Sequence, residues 1–228
     1  MIDILRAFAC LFTTLACQIS VPASVPASSV VPVAAVTPAI ASSDPAIPRE
    51  IPREVLKYRN MLIREIRVTW GDAEPLETFF GQVHQESRWR AEAKSKFAFG
   101  IAQFTPDTAR WIQGIYPADL GEVCPSAAGC PEDPRWALRA LVRYDSRLYS
   151  SVSGAVAALE RWAFALAGYN SGQGWVTRER AVSSDRSRWF GATEHACLRR
   201  ADFCQETRGY VHAILERWAP MYRSWLLR

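Results

Sequence analysis

The segment Gly154 to Tyr169, GAVAALERWAFALAGY, is apolar around most of its circumference, and a helix of that kind is stable in water only when other elements surround it. It predicts a central buried helix, the hub of the core, stopped by a loop over Asn170 to Gly174. The flanking segments each carry one apolar face to pack on such a hub. Val55, Leu56, Leu62, Ile63, Ile66 and Trp70 share one side of a first amphipathic helix. A second begins near Asp72 to Pro75, where acidic residues and a first-turn proline suit the positive helix end. It runs through Leu76, Phe79, Phe80 and Val83 and carries Glu86 on its last turn. Thr105-Pro106 and Asp133-Pro134 each read as an N-cap followed by proline at the first helical position, which predicts helices near 106–113 and 134–149. Two more fall near 205–218 and 220–227. No alternation of the kind a large sheet needs is present, so the fold class is mainly α, a single helical domain over residues 50–228.

The rest of the chain has a different character. Ala7 to Ala16, AFACLFTTLA, is too short to span a bilayer but has the length of a signal-peptide apolar region, so residues 1–20 read as an export signal. From 21 to 49 the chain uses mainly Val, Pro, Ala, Ser, Thr and Ile with no face to bury, the composition of an extended linker. The cysteines fit export. Cys124 with Cys130 and Cys197 with Cys204 form closely spaced pairs that predict two short disulfide-closed loops; a four-cysteine zinc site competes, although neither pair has C-x-x-C spacing. Cys17 follows Leu15-Ala16 in a weak match to a lipoprotein processing site, so a lipid-anchored form stands beside a soluble periplasmic one.

The net charge of +4 and pI near 8.8 give a mild basic bias, concentrated between Arg178 and Arg200. It suits an anionic polymer or simply a solvated face, and it is too scattered for nucleic acid. His84, His195 and His212 lack a metal-ligand spacing, and no calcium loop or cofactor fingerprint is present; no metal or cofactor is expected. Among the nine tryptophans, Trp89, Trp111, Trp175 and Trp189 are candidates for stacking on sugars, and the sequence does not choose among them.

Residues Gly81 to Trp111 read GQVHQESRWRAEAKSKFAFGIAQFTPDTARW. Glu86-Ser87 at a helix end, Ser95 nine residues beyond the glutamate, the turn Gly100-Ile101-Ala102-Gln103 and the proline-led helix from Pro106 form one block. Tyr169-Asn170-Ser171-Gly172 and Glu206-Thr207-Arg208-Gly209-Tyr210-Val211 form a second and a third. In this order the blocks resemble the soluble lytic transglycosylase (SLT) family, relatives of goose-type lysozyme, over roughly residues 75 to 220. The resemblance implies a lysozyme-like fold and cleavage of peptidoglycan glycan strands, with Glu86 catalytic and Ser87, Ser95, Gln103, Tyr169, Asn170, Glu206 and Tyr210 around the substrate. Two departures touch the groove: the loop between Ser95 and Gly100 is one residue short and lacks the family's glycine, and Ala102 replaces a methionine.

The chemistry gives independent grounds. Cleaving a glycosidic bond requires protonating a poor leaving group near neutral pH, where an ordinary carboxyl is ionised. Glu86 follows Val83 by three residues and Phe79 by seven, so its base adjoins the apolar face and partial desolvation should raise its pKa. Glu92, Asp107 and Glu206 are candidates for a second carboxylate, but the resemblance implies a reaction with one. Glu86 then donates a proton and afterwards serves as base for the sugar's own primary hydroxyl, closing a 1,6-anhydro ring. Ser95 is expected to hydrogen-bond Glu86 or the substrate N-acetyl group, and Gln103 to line the groove. A hydrolytic muramidase and a catalytically silent wall-binding module are the rival readings. General wall turnover, service to a secretion or conjugation apparatus, and a phage context are all compatible with the chain.

Overall fold

Val55, Leu62 and Ile66 are fully buried along one side of α1 (Val55–Trp70), while Leu56 lies outside that stripe and is exposed. The computed structural model describes residues 47–71 and 75–228, all within one compact unit, 44–228. The expected export signal and all but the last three residues of the expected linker lie outside the described residues, as do Asp72 to Glu74. One buried charge serves α1. Glu65 Oε2 meets Arg139 Nε at 3.1 Å, and the same guanidinium reaches the Asp119 carbonyl at 2.8 Å, tying α1 to α4 (Pro117–Gly121) and α5 (Pro134–Ser151).

Helix α2 (Leu76–Ser87) begins after Pro75, which occupies the N-cap rather than the first turn. It packs against a continuous C-terminal rod made of α8 (Ala201–His212), a π-helical stretch (Ala213–Trp218) and α9 (Ala219–Leu226). The sequence pattern placed these helices near 205–218 and 220–227. Pro220, in the first turn of α9, has no N–H to donate; the π-helical stretch before it, with Ala219 N–H bonded to the Ile214 carbonyl five residues back, leads the rod through it without a break. Gly81 marks the closest approach: a Cβ there would lie 3.1 Å from Ala219 N and from Trp218 Cβ. At the other end α2 stops on two left-handed residues, Arg88 and Trp89, with φ of 53° and 66°. The Arg88 N–H bonds back to the His84 carbonyl.

The cap signals at α3 (Pro106–Ile115) and α5 are realised as side-chain bonds, Thr108 N to Thr105 Oγ1 at 3.2 Å and Arg135 N to Asp133 Oδ1 at 2.9 Å. The apolar segment becomes α6 (Ala158–Ser171), which begins four residues later than its pattern suggests. Val156 and Leu159 are exposed, whereas Trp162 through Gly168 are all buried between α5, α7 (Gln173–Ala181) and α8. The expected stop loop is absent. Gly172, at φ 87°, turns the chain directly into α7 (Gln173–Ala181), which buries only Val176 and Glu179 and so has no apolar periodicity to betray it.

The cysteines form the disulfides Cys124–Cys130 and Cys197–Cys204, which removes the four-cysteine zinc alternative. Among the described residues extended pairing is limited to isolated bridges, Lys94 with Phe99 and Phe99 with Phe104, around the turn at Gly100. That glycine has φ 77°, and a Cβ on it would meet the Pro131 carbonyl oxygen at 1.8 Å. Gly100→Ala is therefore expected to destabilise the domain by about 3 kcal/mol or more, combining left-handed strain with overpacking. Chemical denaturation of the purified domain checks this, and a loss below about 1 kcal/mol would contradict it.

Candidate active site

Ending α2 with left-handed residues leaves Glu86 on the last turn with no further turn to cover it. Its neighbours on the helix face inward: Gln82, Val83 and Ser87 are buried. The Glu86 carboxyl is half-buried where two clefts meet. One, of about 470 Å³, is polar and lined by Gln85, Asp202, Gln205, Gly209 and Tyr210; the other, of about 580 Å³, includes Phe97, Tyr144, Tyr169, Trp175, Arg199 and Phe203. Glu86, Asn170 and Glu206 line both.

The Tyr210 hydroxyl donates to Glu86 Oε1 at 2.5 Å. Desolvation is the main influence on the carboxyl and holds its pKa up at about 8; the Tyr210 hydrogen bond pulls it down, and the Glu206 charge pushes it up. Burial and the proximity of Glu86 raise the Tyr210 and Tyr169 phenols well above the usual range, so both stay protonated donors. Tyr169 donates to the Ala102 carbonyl at 2.8 Å, fixing the turn that follows Gly100. The Thr207 hydroxyl lies 2.8 Å from Asn170 Oδ1, which leaves the Asn170 amide N–H groups as the donors available to a ligand.

Other residues singled out in the sequence have different surroundings. Ser87 is buried, and its hydroxyl bonds to the Val83 carbonyl of its own helix at 3.4 Å. One step past Glu86 on a helix turns a side chain by ~100°, which carries Ser87 into the core and away from the clefts. Ser95 lines the aromatic cleft but does not bond Glu86; its oxygen accepts from Ala98 N at 3.0 Å and shapes the short loop, and Tyr210 holds the position expected of it. Gln103 lines the same cleft, with Nε2 spent on the carbonyls of Ala93 (3.1 Å) and Gly100 (2.9 Å). Of the three second-carboxylate candidates only Glu206 reaches the clefts; Glu92 lies outside them, and Asp107 is exposed and pairs with Arg110.

Asp145 was not anticipated. Fully buried on α5, it accepts from Gln82 Nε2 at 3.4 Å, and Gln82 lies one turn before Glu86 on α2. Burial raises its pKa well above the usual range, the Gln82 bond lowers it, and Glu86 raises it further. A signal existed, since Leu138, Leu141, Asp145 and Leu148 recur at helical spacing and put a carboxyl on an apolar face.

These features define a helical domain with a desolvated glutamate where two clefts meet, an arrangement suited to proton transfer to a bound ligand. The Transglycosylase SLT domain family matches residues 66–190, more than half of the chain, and the chain belongs to this family. Membership implies lytic-transglycosylase-type cleavage of peptidoglycan. The match ends before Glu206 and Tyr210, which the fold nevertheless brings to Glu86. Comparison with curated proteins returns no match.

The raised carboxyl has a consequence for stability. Glu86 holds its proton more tightly folded than unfolded, so its stabilising contribution is complete below the unfolded pKa of ~4.3 and is lost as pH rises through about 8. Asp145 acts in the same direction. Glu86→Gln cannot ionise and is expected to unfold at a higher temperature than wild type at pH 8, by roughly 2–4 °C per kcal/mol of relief, with the gap closing near pH 4. Thermal unfolding across that range measures it, and a gap independent of pH would contradict the raised value.

Proposed function

We propose that the protein is a lytic transglycosylase that cleaves the β-1,4 bond between N-acetylmuramic acid and N-acetylglucosamine without water, with Glu86 as general acid and then general base. The observation that carries this reading is the half-buried Glu86 carboxyl, held at about 8 and hydrogen-bonded by Tyr210 where the two clefts join. At neutral pH such a group is largely protonated and can give its proton to the leaving glycosidic oxygen. The bond from the anomeric carbon to that oxygen breaks, and positive charge develops on the carbon, where the substrate's N-acetyl oxygen offsets it. The resulting Glu86 carboxylate accepts the proton of the sugar's C6 hydroxyl, whose oxygen closes the anhydro ring and returns the enzyme to its starting state.

The supporting roles follow from position. Tyr210 orients the Glu86 carboxyl and steadies its ionised form, the Asn170 amide donates into the groove, and Tyr169 shapes its floor through the Ala102 carbonyl. Glu206, shared by both clefts, supports a second reading, a hydrolytic muramidase in which it activates water. The two disulfides suit an oxidising compartment and support an exported, cell-envelope location for the domain.

Mass spectrometry of products released from purified sacculi tests the assignment. Anhydro-muropeptides that disappear with Glu86→Gln are expected; reducing ends would assign the hydrolase, and a folded wild type releasing nothing would remove the enzymatic reading. Because the Tyr210 bond lowers the Glu86 pKa, Tyr210→Phe should slow cleavage by about tenfold or more and move the alkaline limb of kcat/KM to higher pH. A limb that moves to lower pH would contradict this role.

A further inference from the structure

The groove is chemically lopsided about Glu86. Four phenylalanine and tryptophan rings are exposed among the described residues, Phe97 (67%), Trp111 (43%), Trp175 (36%) and Phe203 (47%). Three of them, Phe97, Trp175 and Phe203, line the same cleft, and none lines the polar cleft beyond Glu86. Burying these rings would be favourable, so a cluster left open beside a reactive group marks a surface shaped for a ligand with apolar faces. Of the other candidate tryptophans, Trp89 and Trp189 are buried, and Trp111 packs against the cleft residue Tyr144 without itself lining the cleft.

The rings are held in place by polar devices rather than by a core. Trp175 sits in the first turn of α7, with the Arg178 guanidinium packed 3.9 Å from its ring centroid. Phe203 belongs to the segment closed by the Cys197–Cys204 disulfide. That segment is tied to α7 through buried Glu179, which accepts from Arg199 Nε (2.9 Å), Arg199 Nη2 (3.1 Å) and Leu198 N (3.2 Å). Two stretches that lack apolar periodicity are thereby fixed as one wall, and the conformational cost of presenting the rings is met before a ligand arrives.

We propose that Trp175 and Phe203 form a saccharide subsite on one side of Glu86, taking the apolar C–H face of a pyranose ring of the glycan strand, while the polar cleft receives the strand on the other side by hydrogen bonding. This inference rests on the glycan-cleaving reading above. It assigns Trp175 and Phe203 as specificity-determining residues that bind sugar without taking part in proton transfer, and Glu179 as the residue that positions their wall.

Kinetics on purified glycan strands, together with calorimetric binding of an N-acetylglucosamine tetramer to Glu86→Gln protein, test it. Trp175→Ala and Phe203→Ala are each expected to raise KM and the tetramer Kd by about tenfold, with kcat changed by less than about threefold. Trp175→Tyr should recover part of the loss. Trp111→Ala removes a comparably exposed ring outside the cleft and should leave KM and Kd unchanged. The two subsite variants lie on different elements, so misfolding of one, seen as a lowered unfolding midpoint, leaves the other to decide. Unchanged KM and Kd in a folded variant of an active enzyme would overturn the subsite while leaving the reaction assignment intact. If wild type cleaves nothing, the reaction assignment falls and the binding arm alone decides the subsite.

Discussion

Withdrawing the Glu86 carboxyl from water disfavours its ionised form, and much of the packing around α2 has the effect of keeping that carboxyl withdrawn. Helix α2 is packed along the C-terminal rod, chiefly against its π-helical stretch and α9. Gly81 permits near-contact of the two backbones. His84 stacks on Trp218 at 4.0 Å, and Trp218 Nε1 donates to Gln85 Oε1 at 2.9 Å. Trp89, buried by the left-handed exit, donates to the Tyr222 hydroxyl at 2.7 Å, and that hydroxyl in turn serves His84 Nδ1 at 3.0 Å. Burial, aided by Arg88 and Arg217, holds the His84 pKa down at about 4, so the imidazole stays neutral and can accept that bond.

The same constraint organises the opposite wall. Tyr169 and Asn170 reach the groove because α6 ends beside it, and the positive φ of Gly172 lets the chain turn at once into α7 instead of wandering through a loop. Helix α8 then brings Thr207 to Asn170 and Tyr210 to Glu86 from positions 37 and 124 residues away in sequence. The motif blocks are thus far apart along the chain and adjacent in space because three helices, α2, α6 and α8, converge on one point. Peptide groups at their ends supply fixed geometry, and side chains supply the chemistry.

How much of this was legible in the sequence follows from where the information resides. Helices with a buried stripe or a capped proline start, α1, α3 and α5, are written in periodicity and in Thr105-Pro106 and Asp133-Pro134. The burial of α6 was legible, but its start was not, since Val156 and Leu159 are apolar residues that face solvent. Helix α7 left no trace because Gly172-Gln173-Gly174 reads as a stop and most of its faces are polar or exposed. Within the site, the motif blocks and the family resemblance they carry brought Glu86, Asn170 and Tyr210 to attention. It could not tell that Ser87 turns inward, that the Ser95 oxygen is consumed by its own loop, or which tryptophan is open to a ligand. Each of those depends on a side chain's direction or on a competing backbone partner, neither of which is encoded locally.

In the proposed mechanism one group must first donate a proton and then accept one, a demand best met by a pKa near the working pH. Burial alone would overshoot, leaving a carboxyl that protonates readily but serves poorly as the stabilised conjugate base. The opposing influences on Glu86 address this directly: desolvation and the Glu206 charge favour the acid, while the Tyr210 hydrogen bond favours the carboxylate, and together they leave the group at about 8. Asp145 bears on the same balance. Burial pushes its carboxyl well above the usual range, the Gln82 hydrogen bond lowers it, and the Glu86 charge raises it further, so ionisation of either carboxyl disfavours ionisation of the other. A leucine at that position would remove this influence on Glu86, but it would also leave the Gln82 amide without its acceptor one turn before Glu86.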